Sequence, residues 1–198
     1  GEQLLCRAIA LQVQTDRPAL LRIKTYRQLA FARFVLGKNQ AADQAIQQAF
    51  ALVGIHWPQG SAKLVLDTIG AFFDAQVRRT MATKPQVQTA QDKELWSELI
   101  KILPATEVYL SLASPTAAMF CWAHCLRMAE AVGDVMAHVQ AAAFISNELS
   151  AVGLHLRGEH YLSRAEKMAQ NSARPAAMVL IERARSGMAL TAGRFEDA

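Results

Sequence analysis

The chain has 198 residues, 52% of them hydrophobic, with ten glycines, six prolines and a formal net charge of +4. Alanine, leucine, glutamine and arginine dominate, and alternating valine, isoleucine and threonine are nearly absent, which favours helices and argues against sheets. Its basic residues are spread along the chain rather than gathered in a block, so nucleic acid is not an expected partner.

The three cysteines, Cys6, Cys121 and Cys125, do not make a disulfide framework and indicate a reducing compartment. The sequence contains neither a basic-then-apolar signal segment nor an apolar run of about 18 residues. We therefore expect a cytoplasmic protein with no membrane partner.

Helical periodicity organises the N-terminal half. Residues 2–14 are predicted to form a helix whose apolar side carries Leu4, Leu5, Ala8, Ile9 and Leu11. A hairpin of two helices follows over residues 19–54, and a longer amphipathic helix over 61–81 has no partner of its own.

Two further hairpins and part of a third are predicted in the C-terminal half, over residues 92–133, 134–171 and 175–198. Pro104 lies inside the first helix of residues 92–133, so this helix kinks there or consists of two pieces. Pro115 is placed to open the second helix.

Small residues recur at a spacing of 40 residues from the anchors Ala113, Gly153 and Gly193, and at matching offsets from Gly37. Because these small residues recur on consecutive helices, we expect the backbones of those helices to approach closely. The positions assigned this structural role are Ala30, Gly37, Ala42, Ala49, Ala118, Cys125, Gly153, Gly158, Ala165 and Gly193.

This pattern predicts an all-α fold, a right-handed superhelical stack of antiparallel helical hairpins with a period of about 40 residues. Residues 1–198 are expected to form one helical repeat domain. Because the first and last predicted helices lack their hairpin partners, we also expect the chain to be a fragment of a longer array.

Residues 26–50 resemble the tetratricopeptide motif. The matching positions are Tyr26, Leu29, Ala30, Gly37, Ala42 and Ala49. Arg33 and Asn39 depart from the motif, which usually has aromatic residues there, and the period is longer than the usual one.

A wider resemblance covers nearly the whole chain, through LGKNQAADQAIQQAFALVGIHWP, TEVYLSLASPTAAMFCWAHCLRMAEAVGD and AVGLHLRGEHYLSRAEKMA. These segments resemble the tetratricopeptide-like region of large bacterial signalling ATPases, in which an AAA-type ATPase module precedes the array. Many members begin with a class III adenylate or guanylate cyclase or a protein kinase domain. The resemblance implies a non-catalytic regulatory or interaction segment. No Gly-rich phosphate loop or Walker-type lysine is present in the sequence.

Two groups of residues suggest chemistry, and each has a simpler structural explanation. Cys121 and Cys125 with His124 could offer metal ligands, but core packing of small apolar side chains is favoured. His155 and His160 could act as an acid–base pair, but no nucleophile has a specific spacing to them. We therefore expect neither enzymatic activity nor a cofactor.

A binding surface is predicted on the first helix of the first hairpin, where Lys24, Arg27, Phe31 and Phe34 would face the concave side. Apolar and basic character there would suit an acidic or amphipathic peptide, or another domain of the same polypeptide. The competing interpretation is that the preceding helices cover the two phenylalanines. The methionines at 119, 128, 136, 168, 178 and 188 could form an adaptable groove, but core filling is favoured.

An alternative function remains open at this point. The same architecture would serve as the effector-sensing helical domain of a large transcriptional activator, with a small ligand in place of a peptide. A helix-turn-helix segment downstream in the gene would favour that alternative.

Overall fold

The computed structural model describes residues 1–15, 18–58, 60–80, 89–104, 114–172 and 174–193, with the side chains of 73–80 excluded. These residues form nine α-helices and no strand, so the all-α prediction is confirmed for them. The helices are α1 (Glu2–Gln14), α2 (Ala19–Val35), α3 (Asn39–Ala51), α4 (Ser61–Thr80), α5 (Ala90–Leu99), α6 (Pro115–Val132), α7 (Val135–Ala151), α8 (His155–Ser172) and α9 (Pro175–Thr191).

The predicted break around Pro104 begins several residues earlier in the structure. Helix α5 starts after a Thr89 capping box, ends at Leu99 and continues as a 3₁₀ turn over Ile100–Ile102. A proline ring clashes with the carbonyl four residues before it, which here belongs to Ile100. The α-helix therefore ends where that clash would fall. Residues 105–113 lie outside the described part of the chain.

Successive helices pack in a regular order. Helix α2 contacts α1, α3 and α5; α6 contacts α4, α5 and α7; and α7 and α9 contact each other as well as α8. Helix α2 and α3, α6 and α7, and α7 and α8 are joined by turns of two or three residues, as in antiparallel helical hairpins.

Most of the small-residue positions predicted from the repeat are buried between these helices. Six of them have no exposed surface: Ala30, Ala42, Ala49, Ala118, Cys125 and Ala165. The closest approach is at Gly158 of α8, where an added Cβ would lie 2.7 Å from the carbonyl oxygen of Ser146 on α7. Small residues therefore set the helix separation. The anchor Ala113 lies outside the described residues.

Two predicted turn glycines end helices in the same way. Gly37 and Gly153 have φ angles of 70° and 82°, which favour glycine because it has no Cβ. The next residue donates its N–H to a carbonyl five residues back, from Lys38 to Arg33 and from Leu154 to Leu149, both at 2.8 Å. These are Schellman ends, which reverse the chain tightly between paired helices.

The side chains that α1 buries differ in part from those predicted. Leu5 and Ile9 pack on the core, but Leu4 and Leu11, predicted on the apolar side, are exposed. Its main contact is with α2, and a single neighbouring helix covers only a narrow stripe of side chains. Among the described helices, none combines the length and the apolar character needed to cross a bilayer.

Candidate functional site

Helix α4 lies outside the regular order of hairpins and packs on α6. Thr68 is buried, and Leu64 and Phe72 lie against the core. The ring of Phe72 meets the ring of Tyr161 on α8 edge to face, with centroids 6.0 Å apart. Helix α4 therefore packs on α6 and touches α8 through this ring contact.

The face of α4 beside this buried one is apolar and open to solvent. Val65, Leu66 and Ile69 are 43%, 67% and 47% exposed. We call these three residues the α4 ridge. Exposed apolar patches of this kind mark interaction sites more often than isolated surface leucines do.

On one side of the ridge lies a cavity of about 460 Å³ between α4, the turn at 54–56 and α6, which we call the polar cleft. Its polar lining comes from His56, Asp67, His124 and Arg127. Phe120 forms part of the wall and contacts the ring of His124, with centroids 4.5 Å apart. The polar cleft thus combines a carboxylate, a guanidinium and two imidazoles around an aromatic wall.

Trp57 fixes the loop that borders the polar cleft. Its ring lies edge to face against Phe50 of α3 and Phe120 of α6, with centroids 5.7 and 5.0 Å away. The contact with Phe120 ties the first hairpin to α6.

On the other side of the ridge lies a cavity of about 350 Å³, which we call the apolar groove. Its apolar lining comes from Ile69, Phe72, Leu149, Leu154 and Tyr161. Leu154 reaches the groove because the Gly153 turn reverses the chain directly before it.

Arg157 and His160 are the two basic residues among the described lining of the apolar groove, and both are exposed on the first turns of α8. Arg157 forms no ion pair with any residue in the described part of the chain. Among the described residues that line the groove, none carries a carboxylate. The groove therefore combines an apolar floor with a basic rim.

The surface predicted on α2 is only partly present. Lys24 and Phe31 are exposed, Phe31 to 57%. The prediction for Phe34 is wrong, because this side chain is 2% exposed and belongs to the core. Arg27 is engaged within the fold, since its Nη2 lies 3.0 Å from Oε1 of the buried Glu98 on α5. Lys24 and Phe31 alone remain open to a partner.

The cysteine pair lies in the core, as the core-packing interpretation predicted. Cys121 and Cys125 have no exposed surface, and burial raises the pKa of the Cys125 thiol well above its usual range. In the described residues, no three His, Cys, Asp or Glu side chains are placed to hold one metal ion. His155 is the first residue of α8 and half-buried, while His160 faces the apolar groove.

The methionines act as core filler, as favoured from their spacing. Two are buried and four are half-buried against the core: Met128 and Met188, then Met119, Met136, Met168 and Met178. They do not form a methionine-lined groove.

Comparisons with protein-family models, with curated proteins and with solved structures found no match to this chain. The candidate site therefore rests on its own geometry.

The α4 ridge was not predicted from the sequence, although a signal for it exists. Leu64, Val65 and Leu66 are consecutive apolar residues, and three consecutive positions of a helix cannot all face one core. Leu64 faces inward and the other two form part of the α4 ridge.

Proposed function

We propose that this chain is a tetratricopeptide-like stack of helical hairpins that acts as a non-catalytic interaction and regulatory module of a multidomain signalling protein. The parent protein would carry a nucleotide-hydrolysing ATPase domain and an output domain such as a cyclase or kinase. That part of the proposal rests on the sequence resemblance.

The contact between α7 and α9 is the observation that best supports a stack of hairpins. Gly187 on α9 lies against Asn147 on α7, and an added Cβ would be 3.1 Å from the Asn147 Oδ1 atom. These two residues are 40 positions apart and occupy the same place in the repeat. Equivalent helices of successive hairpins therefore pack on each other, which is how repeat arrays grow.

The same order is supported elsewhere in the described chain. Helix α2 contacts α5, the first helix of the next predicted hairpin, and α6 and α8 contact both helices beside them in sequence. A right-handed superhelix is the arrangement that such packing favours. In the proposed mechanism, a partner binds a surface of the stack and shifts its conformational equilibrium. Contacts between hairpins couple that shift to the output domain.

The reading frame around this segment tests the proposal. A Gly-rich phosphate loop with its lysine encoded upstream, followed by this segment without interruption, is the expected result. In the intact protein, deleting residues 1–198 should then change nucleotide turnover or cyclase output. Unchanged regulation after deletion would refute the regulatory role.

A second candidate is an effector-sensing domain of a transcriptional activator, and the polar cleft favours it. Its volume of about 460 Å³ falls within the range of small-molecule sites, and its lining offers charged and imidazole groups. A helix-turn-helix encoded downstream, together with a metabolite that raises the melting temperature, would support this candidate. Loss of that stabilisation in Arg127→Met would assign the ligand to the polar cleft.

A further inference from the structure

We propose that the apolar groove binds the apolar face of an acidic amphipathic helix from a partner protein or from another domain. This inference rests on the proposed function and names the surface and the partner chemistry. It places the partner against α4 and α8, rather than on the α2 surface predicted from the sequence.

The form of the groove favours a helix as its occupant. Its walls include residues of the helices α4 and α8, which touch through the contact between Phe72 and Tyr161. Side chains of a third helix fit between two such walls as ridges into grooves. The described residues include no strand, so they offer no sheet edge to which an extended peptide could add.

The size of the groove favours side chains of a larger partner over an enclosed small molecule. Its volume of about 350 Å³ lies near the lower end of small-molecule pockets. Ile69 and Leu154, which border it, are 47% and 51% exposed, so the groove is open along its length. A partner helix would cover these residues, and Leu66 beside them, as it inserts its own apolar side chains.

The basic residues that line the groove favour an acidic partner. Arg157 and His160 stand at the rim, and no carboxylate belongs to the part of the lining that the structure describes. A glutamate or aspartate flanking the apolar face of the partner would pair with Arg157. The chain's net charge of +4 also attracts acidic partners at long range.

The same charge argues against a second copy of this chain as the occupant. In a two-fold contact the same surface faces itself, so the two rims carrying Arg157 would approach each other. Repulsion between like charges disfavours that arrangement.

The test is a titration of the whole chain with two fluorescein-labelled helical peptides. Both carry leucines at i, i+3, i+4 and i+7; one has glutamates on the flanks and the other lysines. We expect the glutamate peptide to bind more tightly. Arg157→Glu should weaken it by about tenfold and remove the preference for glutamate over lysine. Ile69→Ser should weaken both peptides.

Matched controls are available on α1. Arg7→Glu is the control for Arg157→Glu, because it also reverses an exposed charge. Leu11→Ser is the control for Ile69→Ser, because Leu11 is 54% exposed and Ile69 is 47% exposed. Neither should change the affinity by more than about twofold, since surface changes away from a binding site have small effects. Circular dichroism of each variant checks that the fold is retained.

Several results would overturn the proposal. Equal affinity for the two peptides, or no effect of Arg157→Glu and Ile69→Ser, excludes the groove as an acidic-helix site. Binding lost instead in Phe31→Ser would show an interaction module that uses α2, so this inference fails while the proposed function stands. Self-association abolished by Ile69→Ser would assign the groove to a second copy. No binding of either peptide counts against both proposals.

Discussion

Phe72 and Tyr161 join α4, which lies outside the hairpin order, to α8, which lies within it, through an edge-to-face contact with ring centroids 6.0 Å apart. The two residues are far apart in sequence, and both rings line the apolar groove. A change at either ring should therefore affect both stability and partner binding.

A double-mutant cycle measures that contact. Phe72→Leu and Tyr161→Leu, made singly and together, should give a coupling of about 0.5–1.5 kcal/mol in urea unfolding, because edge-to-face pairs contribute that much beyond burial. Phe31→Leu on α2 is the control partner for Tyr161→Leu. A coupling near zero for Phe72 and Tyr161 would show that α4 is not held by this contact.

Gly158 tests whether small residues set the helix separation. Gly158→Ala would place Cβ 2.6 Å from Ser150 Oγ and 2.7 Å from the Ser146 carbonyl oxygen, so α7 and α8 must move apart. We expect a loss of about 1–3 kcal/mol in the free energy of unfolding.

Gly70 provides the matched control within a helix. An added Cβ there meets no atom within 4 Å, so Gly70→Ala should be neutral or stabilise by about 0.5–1 kcal/mol through helix propensity. If Gly158→Ala stabilised the chain as much as Gly70→Ala does, the close approach between α7 and α8 would be wrong.

Glu98 links α2 and α5 through a buried charge. Its side chain is 5% exposed and accepts hydrogen bonds from Arg27 at 3.0 Å and Lys101 at 2.7 Å. Glu98→Gln should cost about 1–3 kcal/mol, because both partners lose a charged acceptor. The exposed Glu182, paired with Arg185, is the control, and Glu182→Gln should cost at most about 0.5 kcal/mol. Equal costs would contradict the role of Glu98.

Cys125 gives the chain an alkaline dependence of stability. Burial raises the pKa of the thiol above its ordinary value of 9.0. The folded state then keeps the proton at pH values where the unfolded state has lost it, so the unfolded state binds fewer protons and stability falls as pH rises. The thiol's contribution to the free energy of unfolding is complete below its ordinary pKa and is lost as the pH rises above that value.

Cys125→Ala isolates this effect, since alanine occupies the equivalent buried positions Ala49 and Ala165. Melting temperatures of the two proteins should differ little at pH 7, and the wild type should lose more stability than the variant above pH 9.0. Parallel curves for the two proteins would refute the thiol as the cause.

The helices and the small-residue positions could be predicted from sequence because they depend on local periodicity and on side-chain size. Ala49, Cys125 and Ala165 share a position in the repeat, and all three are fully buried. The turn at Gly153 was predicted for an equally local reason, since a positive φ favours glycine.

The candidate site could not be predicted from the sequence, because it depends on tertiary contacts that helical periodicity does not reveal. Phe34 and Phe31 are three residues apart on α2, and only the neighbouring helices determine that the first is buried and the second exposed. Likewise, Arg157 and Ile69 meet at one groove because α4 packs beside α8. No local pattern in the sequence relates α4 to α8.

The most direct test of the account is to locate where a partner helix binds. The glutamate-flanked peptide, carrying a photoreactive benzophenone in place of one leucine, is irradiated with the whole chain, and the crosslinked residues are identified by mass spectrometry. The account predicts crosslinks within residues 65–72 of α4 and 149–161 around the Gly153 turn. Crosslinks concentrated on α2 around Lys24 and Phe31, with none on α4 or α8, would contradict it.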